Sequence, residues 1–122
     1  MRTAAALLAA LAFVPVAAAK DGVHATLTTP LPKRASMGTK LAVSFTLRDA
    51  AGHLFDAMKI FVKVICPTKD ASSFVFARQL STGHYRAVAI VPPGGLGTVR
   101  IGIRGWNTAG KTADVYFPIR NH

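Results

Sequence analysis

The sequence predicts an all-β protein, an antiparallel immunoglobulin-like β-sandwich of about seven strands. Three observations lead to this prediction. Apolar and polar residues alternate with a period of two through most of the chain after residue 20, which is the pattern of half-buried strands. Glycine, proline, asparagine and aspartate interrupt the alternation at short intervals, where turns belong. No segment of this region carries the 3.6-residue period of an amphipathic helix.

The first three predicted strands are separated by proline and turn signals. Pro30 and Pro32 end the first strand, because proline has no amide proton for the ladder. The second strand has the clearest alternation, and residues 49–53 (Asp-Ala-Ala-Gly-His) make the turn after it. Pro67 ends the third strand. These predicted strands span residues 23–28, 40–49 and 58–65.

The last four predicted strands follow in the same manner. Residues 81–83 (Ser-Thr-Gly), 92–95 (Pro-Pro-Gly-Gly) and 107–110 (Asn-Thr-Ala-Gly) supply the turns between them. The four strands span residues 73–80, 84–91, 98–106 and 112–119. From the inward side of each strand we expect a core that contains Leu41, Val43, Phe45, Ile60, Val62, Tyr85, Val99, Ile101 and Phe117.

Residues 1–19 have the composition of a cleaved signal peptide. A positive charge at Arg2, an apolar run over residues 4–16 and three alanines before Lys20 are the parts of such a leader. We therefore expect one mature domain over residues 20–122, located in the periplasm or outside the cell. No later stretch reaches the ~18 consecutive apolar residues of a membrane span, so we expect no membrane-spanning segment.

Two short motifs, in the turn after the second strand and in the fifth strand, are similar to those of exported bacterial immunoglobulin-like domains. They are Leu-Arg-Asp-Ala-Ala-Gly-His at 47–53 with Ala57 after it, and Gly-His-Tyr-Arg-Ala-Val at 83–88 with Pro93-Gly94 after it. On these motifs the chain resembles the YtkA-like and FixH-like group of small bacterial sandwiches, over about residues 40–103. The resemblance implies a β-sandwich fold. Metal-leaning members of that group tend to carry Met and His in the middle of the domain, and residues 65–72 here contain neither.

The chain is strongly basic. It carries 15 Lys and Arg against 5 acidic residues, a formal net charge of +10, and every acidic residue is Asp. A field of this sign attracts anionic partners and speeds their encounter. For an exported protein we expect an acidic protein partner, an anionic envelope polymer or a lipid surface, and no nucleic acid. A basic surface that is merely solvated explains the same composition.

Residues that could carry catalysis are scarce. The chain has no Glu and five scattered Asp, so a glycosidase site with two paired carboxylates is not expected. Asp49, His53 and Asp56 are candidates for a base and its orienting acid, which would make a small hydrolase. The same residues suit a polar turn in which Asp satisfies backbone donors. We therefore expect no enzyme and no cofactor.

Metal-ligating residue types are present without a spacing signature. None of them forms a C-x-x-C or H-x-x-x-H motif. Because these residue types suit copper or zinc, a periplasmic protein that handles copper or another metal is the alternative function. Cys66, the only cysteine, follows an apolar run, and we expect it to be a buried small residue. The candidate ligands are His24, His53, His84, Met37, Met58 and Cys66.

Strand parity predicts an outer face rich in cations and rings. In an immunoglobulin-like fold the third, sixth and seventh strands form one sheet. If their apolar residues point to the core, the alternate residues point outward. We call this outward set the basic-aromatic face, and it consists of Lys59, Phe61, Lys63, Arg100, Arg104, Trp106 and Tyr116.

Such a face suits the docking of a partner. Arg, Trp and Tyr are the residue types that most often anchor interfaces. We therefore expect a non-enzymatic binding or accessory module that engages an acidic protein surface or an envelope polyanion through the basic-aromatic face. The alternative for the face itself is that long basic side chains cover aromatic rings on a solvated sheet.

Overall fold

The computed structural model describes residues 22–106 and 109–120 of the chain. The predicted signal peptide, residues 1–19, lies outside this part. Within the described residues the chain forms strands and turns and no helix. The strands are β1 (His24–Leu27), β2 (Lys40–Arg48), β3 (Ile60–Ile65), β4 (Ser72–Phe76), β5 (Arg78–Ser81), β6 (His84–Ile90), β7 (Thr98–Trp106), β8 (Thr112–Phe117) and β9 (Ile119–Arg120).

These strands form two sheets that pack against each other. Their orders are β5-β6-β2-β1-β9 and β4-β3-β7-β8. Neighbouring strands are antiparallel, apart from β9, which runs parallel to β1. The arrangement is immunoglobulin-like, with β4 added beside β3, so the predicted fold class is confirmed. Among the described residues, no helix is long and apolar enough to cross a membrane.

The described strands number nine, more than predicted, because two predicted strands each divide between the sheets. The segment predicted over residues 73–80 pairs with β3 as far as Phe76 and with β6 from Arg78. Ala77 stands at the crossing, where its amide donates to the Ile60 carbonyl at 2.9 Å and its side chain packs against the core. Strands that switch sheets in this way make the corners of a sandwich.

The segment predicted over residues 112–119 divides at Pro118. Proline has no amide proton, so this residue cannot donate to the ladder between β7 and β8. Its carbonyl accepts a hydrogen bond from the Ala25 amide at 2.9 Å, and β9 then pairs with β1 in the other sheet. The segment after Pro118 therefore forms one edge of the five-stranded sheet.

The core lies between the two sheets. The predicted core residues are buried except Val99, which is half-buried against the core. Tyr85 stacks on Phe45 with ring centroids 5.6 Å apart. Its hydroxyl accepts a hydrogen bond from the Ala57 amide at 3.0 Å, and burial raises the pKa of this hydroxyl. The predicted inward side of the strands is thus confirmed.

The third strand begins at Ile60 rather than at Met58. Lys59 has a φ of 62°, in the left-handed region, and this breaks the extended alternation just before the strand. Met58 is exposed. The position of Lys59 therefore follows from a local turn conformation and not from strand parity.

Candidate functional site

The outer face of the four-stranded sheet carries the basic-aromatic residues. The neighbours β3, β7 and β8 lie in this sheet, as predicted, and β4 forms its edge beside β3. Lys63 of β3 lies opposite Arg100 of β7 on one side and opposite Phe74 of β4 on the other. Phe76 shares the outward parity of Phe74, so two rings of β4 join the face.

An aromatic cluster forms the base of this face. Phe61 packs against Phe74 with ring centroids 4.7 Å apart, and it meets the edge of the Tyr116 ring at 5.8 Å. Phe74 meets Phe76 at 5.0 Å in an edge-on arrangement. Phe61 is 0% exposed although it points away from the core. These four residues, which we call the aromatic base, make a small apolar layer on the outside of the sheet.

Gly102 makes room for the aromatic base. It lies opposite Phe61 on one neighbouring strand and opposite Tyr116 on the other. A Cβ at this position would lie 2.5 Å from the Val115 carbonyl oxygen and 2.8 Å from the Cζ atom of Phe61. Both distances are too short for a side chain, so the rings close over a strand position that only glycine fits.

Arg104 covers the middle of the aromatic base. Its guanidinium carbon lies 4.5 Å from the centroid of the Phe74 ring and 5.8 Å from that of Phe61. Its Nε and Nη2 atoms donate hydrogen bonds to the two oxygens of Asp114 at 2.8 and 3.0 Å. These hydrogen bonds lower the pKa of the Asp114 carboxyl. The charge of Arg104 is therefore matched by a carboxylate on the same face.

Three other cations of the face have no such match. The guanidinium of Arg100 lies 4.9 Å from the centroid of the Tyr116 ring, and the Lys59 ammonium lies 5.5 Å from that of Phe76. Among the described residues, neither of these cations nor Lys63 forms an ion pair with a carboxylate. We call Lys59, Lys63 and Arg100 the cation layer.

Two predicted members of the face differ from the rest. Phe61 lies on the outer side, as parity predicts, but Phe74, Tyr116 and Arg104 cover it. Its ring therefore supports the face from beneath and is not exposed at the surface. Trp106 ends β7, and its side chain lies outside the described part of the structure.

Phe74 and Phe76 belong to this face although they are not among its predicted residues. They are 38% and 46% exposed and are the most accessible rings of the aromatic base. Their spacing of two residues was the available signal, since it places both rings on one side of a strand. Parity alone could not assign these rings to the face, because the strand predicted over residues 73–80 divides between the two sheets.

The candidate catalytic residues are engaged in turns. Asp49 accepts hydrogen bonds from two turn amides, including that of His53 at 2.9 Å, and this hydrogen bond lowers the pKa of the Asp49 carboxyl. The His53 side chain is 79% exposed. Asp56 accepts hydrogen bonds from the Gln79 side chain and the Gly83 amide, both at 2.7 Å. The carboxylates thus hold the loops of this corner together.

The candidate metal ligands of the His and Cys types lie in the part of the chain that the structure describes. No three His, Cys, Asp or Glu side chains there come together in a group that could hold a metal ion. The Nδ1 atom of His84 lies 3.1 Å from the Thr46 hydroxyl. Cys66 is buried, as predicted, and its thiol donates a hydrogen bond to the Asp70 carboxylate at 3.1 Å.

Comparisons of this chain with protein-family models, with curated proteins and with solved structures each found no match. The resemblance to the YtkA-like and FixH-like group therefore stays a prediction from sequence motifs.

Proposed function

We propose that this chain is an exported, non-enzymatic binding module that engages an anionic polymer of the cell envelope through the basic-aromatic face. The observation that carries the proposal is the cation layer. Lys59, Lys63 and Arg100 share one outer face and form no ion pair with a carboxylate among the described residues. Unmatched cations on one surface attract a polyanion and speed its encounter.

The rings beneath the cations support this proposal. A free Lys or Arg side chain carries about 2 kcal/mol of rotamer entropy, which binding would otherwise have to restrict. Contacts with the rings of Tyr116 and Phe76 already restrict Arg100 and Lys59 in the folded protein. Positioning the charges before binding lowers the entropic cost of association.

The exposed chemistry of the face favours a polymer over an acidic protein surface. Protein interfaces depend on aromatic anchors buried near their centre. Here the central ring, Phe61, is already covered, and the accessible rings Phe74 and Phe76 lie on the edge strand. Charges spread over the sheet, with few central apolar groups to bury, suit a chain of repeated anionic groups.

Poly-L-glutamate is the simplest probe of this proposal. The double variant Lys63→Gln with Arg100→Gln should weaken binding by about tenfold or more at low salt, because two charge-assisted contacts are lost. The matched control is Lys40→Gln with Arg86→Gln, which removes the same two residue types from the other sheet, where both are exposed. Fluorescence anisotropy with labelled polymer measures the affinities, and circular dichroism verifies the fold.

The control decides whether the face matters or only the net charge. Equal losses in both double variants would contradict a specific face, and so would a wild-type protein that binds no polyanion. Binding must also fall steeply toward 1 M salt, where the screening length is about 3 Å. Tighter binding to anionic lipid vesicles than to any soluble polyanion would replace the polymer with a membrane surface.

A further inference from the structure

A pocket lies at one end of the basic-aromatic face, beside the turn between β3 and β4. Its volume is about 200 Å³. Its walls come from β3, β4 and β7, together with one residue of the turn. We call it the cationic pocket, and its lining residues are Lys63, Ile65, Lys69, Ser72, Thr98 and Arg100.

Short side chains on the neighbouring strands make the floor of this pocket. Ile65 lies opposite Ser72 on one side and opposite Thr98 on the other. Two residues further along these strands, on the same face, Lys63 lies opposite Arg100. The long side chains of that pair stand beside the short hydroxyl side chains, and this difference in length leaves a depression in the surface.

Lys69 forms the remaining wall, and the turn holds it in place. Its φ is 69°, and its amide donates to the Cys66 carbonyl at 3.0 Å. The neighbouring Asp70 accepts hydrogen bonds from the Thr68 hydroxyl at 2.6 Å and from the Cys66 thiol at 3.1 Å, and these lower the pKa of the Asp70 carboxyl. Among the described residues, Lys69 forms no ion pair with a carboxylate.

The lining residues supply cations and hydroxyl groups but no carboxylate. Like charges directly opposite each other on neighbouring strands destabilise a sheet, and Lys63 and Arg100 are such a pair. The carboxylate of this face, Asp114, has both oxygens in hydrogen bonds with Arg104, and Lys63 lowers its pKa less than Arg104 does. An anion bound between the pocket cations would offset their mutual repulsion.

We infer that the cationic pocket binds a phosphoryl group carried by the anionic polymer. This inference rests on the proposed function and names the chemistry of that polymer. Two lysines, an arginine and two hydroxyl residues line the pocket, and they come from three strands and the turn. A tetrahedral phosphoryl group presents oxygens in several directions, whereas a carboxylate presents two oxygens in one plane. A volume of about 200 Å³ is below the ~300–1,000 Å³ of sites for drug-sized ligands, and it leaves room for a phosphoryl group.

The chain offers a matched pair of variants for the test. Lys69 belongs to the cationic pocket, and Lys59 belongs to the opposite end of the basic-aromatic face. Both residues have positive φ, 69° and 62°. Lys69→Asn and Lys59→Asn each remove one charge, and asparagine tolerates the left-handed conformation. Thr98→Val is a third variant that removes a pocket hydroxyl and keeps the shape of a strand residue.

The probes are polyphosphate and poly-L-glutamate of equal total charge. We expect the wild type to bind polyphosphate more tightly. Lys69→Asn should weaken polyphosphate binding by about tenfold, the size of one lost charge-assisted hydrogen bond, and Thr98→Val should reduce the preference for polyphosphate. Lys59→Asn should weaken the binding of both polymers equally and by less, because it acts through the general field.

Each outcome separates the pocket from the face as a whole. Equal binding of the two polymers, or equal losses of polyphosphate binding in Lys69→Asn and Lys59→Asn, would overturn the phosphoryl assignment and leave the proposed function intact. A wild type that binds neither polymer overturns the proposed function itself. Inorganic phosphate should shift the amide resonances of residues 69, 72 and 98 in an NMR titration. Tighter binding to vesicles of phosphatidylcholine with phosphatidylglycerol than to polyphosphate would overturn the polymer as the source of the group.

Discussion

Replacing Phe61 with alanine tests whether this side chain is exposed on the outer face, as strand parity alone suggests, or buried there beneath other side chains. Parity alone places Phe61 on the solvent side, where substitutions usually change stability by less than ~0.5 kcal/mol. In the structure its side chain is 0% exposed, and its ring centroid lies 4.7 Å from that of Phe74 and 5.8 Å from that of Tyr116. The two descriptions therefore predict different free energies of unfolding for the same variant.

The expected loss follows from these contacts. Full burial of a phenylalanine contributes about 1.5–3 kcal/mol, and each of the two ring pairs adds about 0.5–1.5 kcal/mol. Measured Phe-to-Ala losses in cores are about 3–5 kcal/mol. Phe61 has a single layer of side chains above it, which can settle into the gap. We therefore expect Phe61→Ala to lower the free energy of unfolding by about 3 kcal/mol, the low end of that range.

Urea unfolding followed by circular dichroism measures this loss, with the free energy obtained by linear extrapolation. Phe76→Ala is the matched control. That ring is 46% exposed and has one ring partner, Phe74, so its loss should be about 1–2 kcal/mol. A loss below about 1 kcal/mol for Phe61→Ala, or one smaller than that of the control, would refute the burial of Phe61 beneath its neighbours.

Three further predictions concern the sheet, the ion pair and processing. Gly102→Ala should lower the melting temperature by an amount equivalent to about 1–3 kcal/mol, because its Cβ would meet the Val115 carbonyl; an unchanged melting temperature contradicts the close packing. The lowered pKa of Asp114 contributes stability above its ordinary value of 3.8 that is lost as pH falls through the lowered value. In urea titrations at a series of pH values, the free energy of unfolding of Asp114→Asn should therefore fall less on acidification than that of the wild type. An equal fall in both proteins would contradict this prediction. Mass spectrometry of the exported protein should find an amino terminus within a residue or two of Lys20, and an intact first methionine is the contrary result.

The period-two pattern was sufficient to predict the fold class and a set of core residues of which all but Val99 are buried, because inward side chains alternate along every strand. It was not sufficient to predict where strands change sheets. Ala77 and Pro118 divide two continuous-looking strands, and each does so through tertiary contacts. Pro118 carries a local signal, the missing amide, whereas Ala77 carries none, since its small side chain matters only beside the core.

The sequence could predict which side of the sheet the candidate site occupies, but not which of its side chains are buried. Parity correctly placed Lys63, Arg100 and Tyr116 on one outer face, because sheet order followed from the fold. It could not show that Phe61 lies beneath other side chains, since burial depends on what neighbouring strands place above it. The missing information was the register of β4, which brings Phe74 against Phe61.

Rings and cations have separate roles in this two-layer face. The rings of the aromatic base contact one another and the sheet, so their loss lowers the free energy of unfolding. Lys63 and Arg100 form no ion pair on this face, so we expect their loss to lower the affinity for the proposed anion and to change stability little. Arg104 differs from both sets, because it covers Phe61 while Asp114 neutralises its charge. Its contribution to anion binding should therefore be smaller than that of Arg100, although the two residues occupy the same strand and the same face.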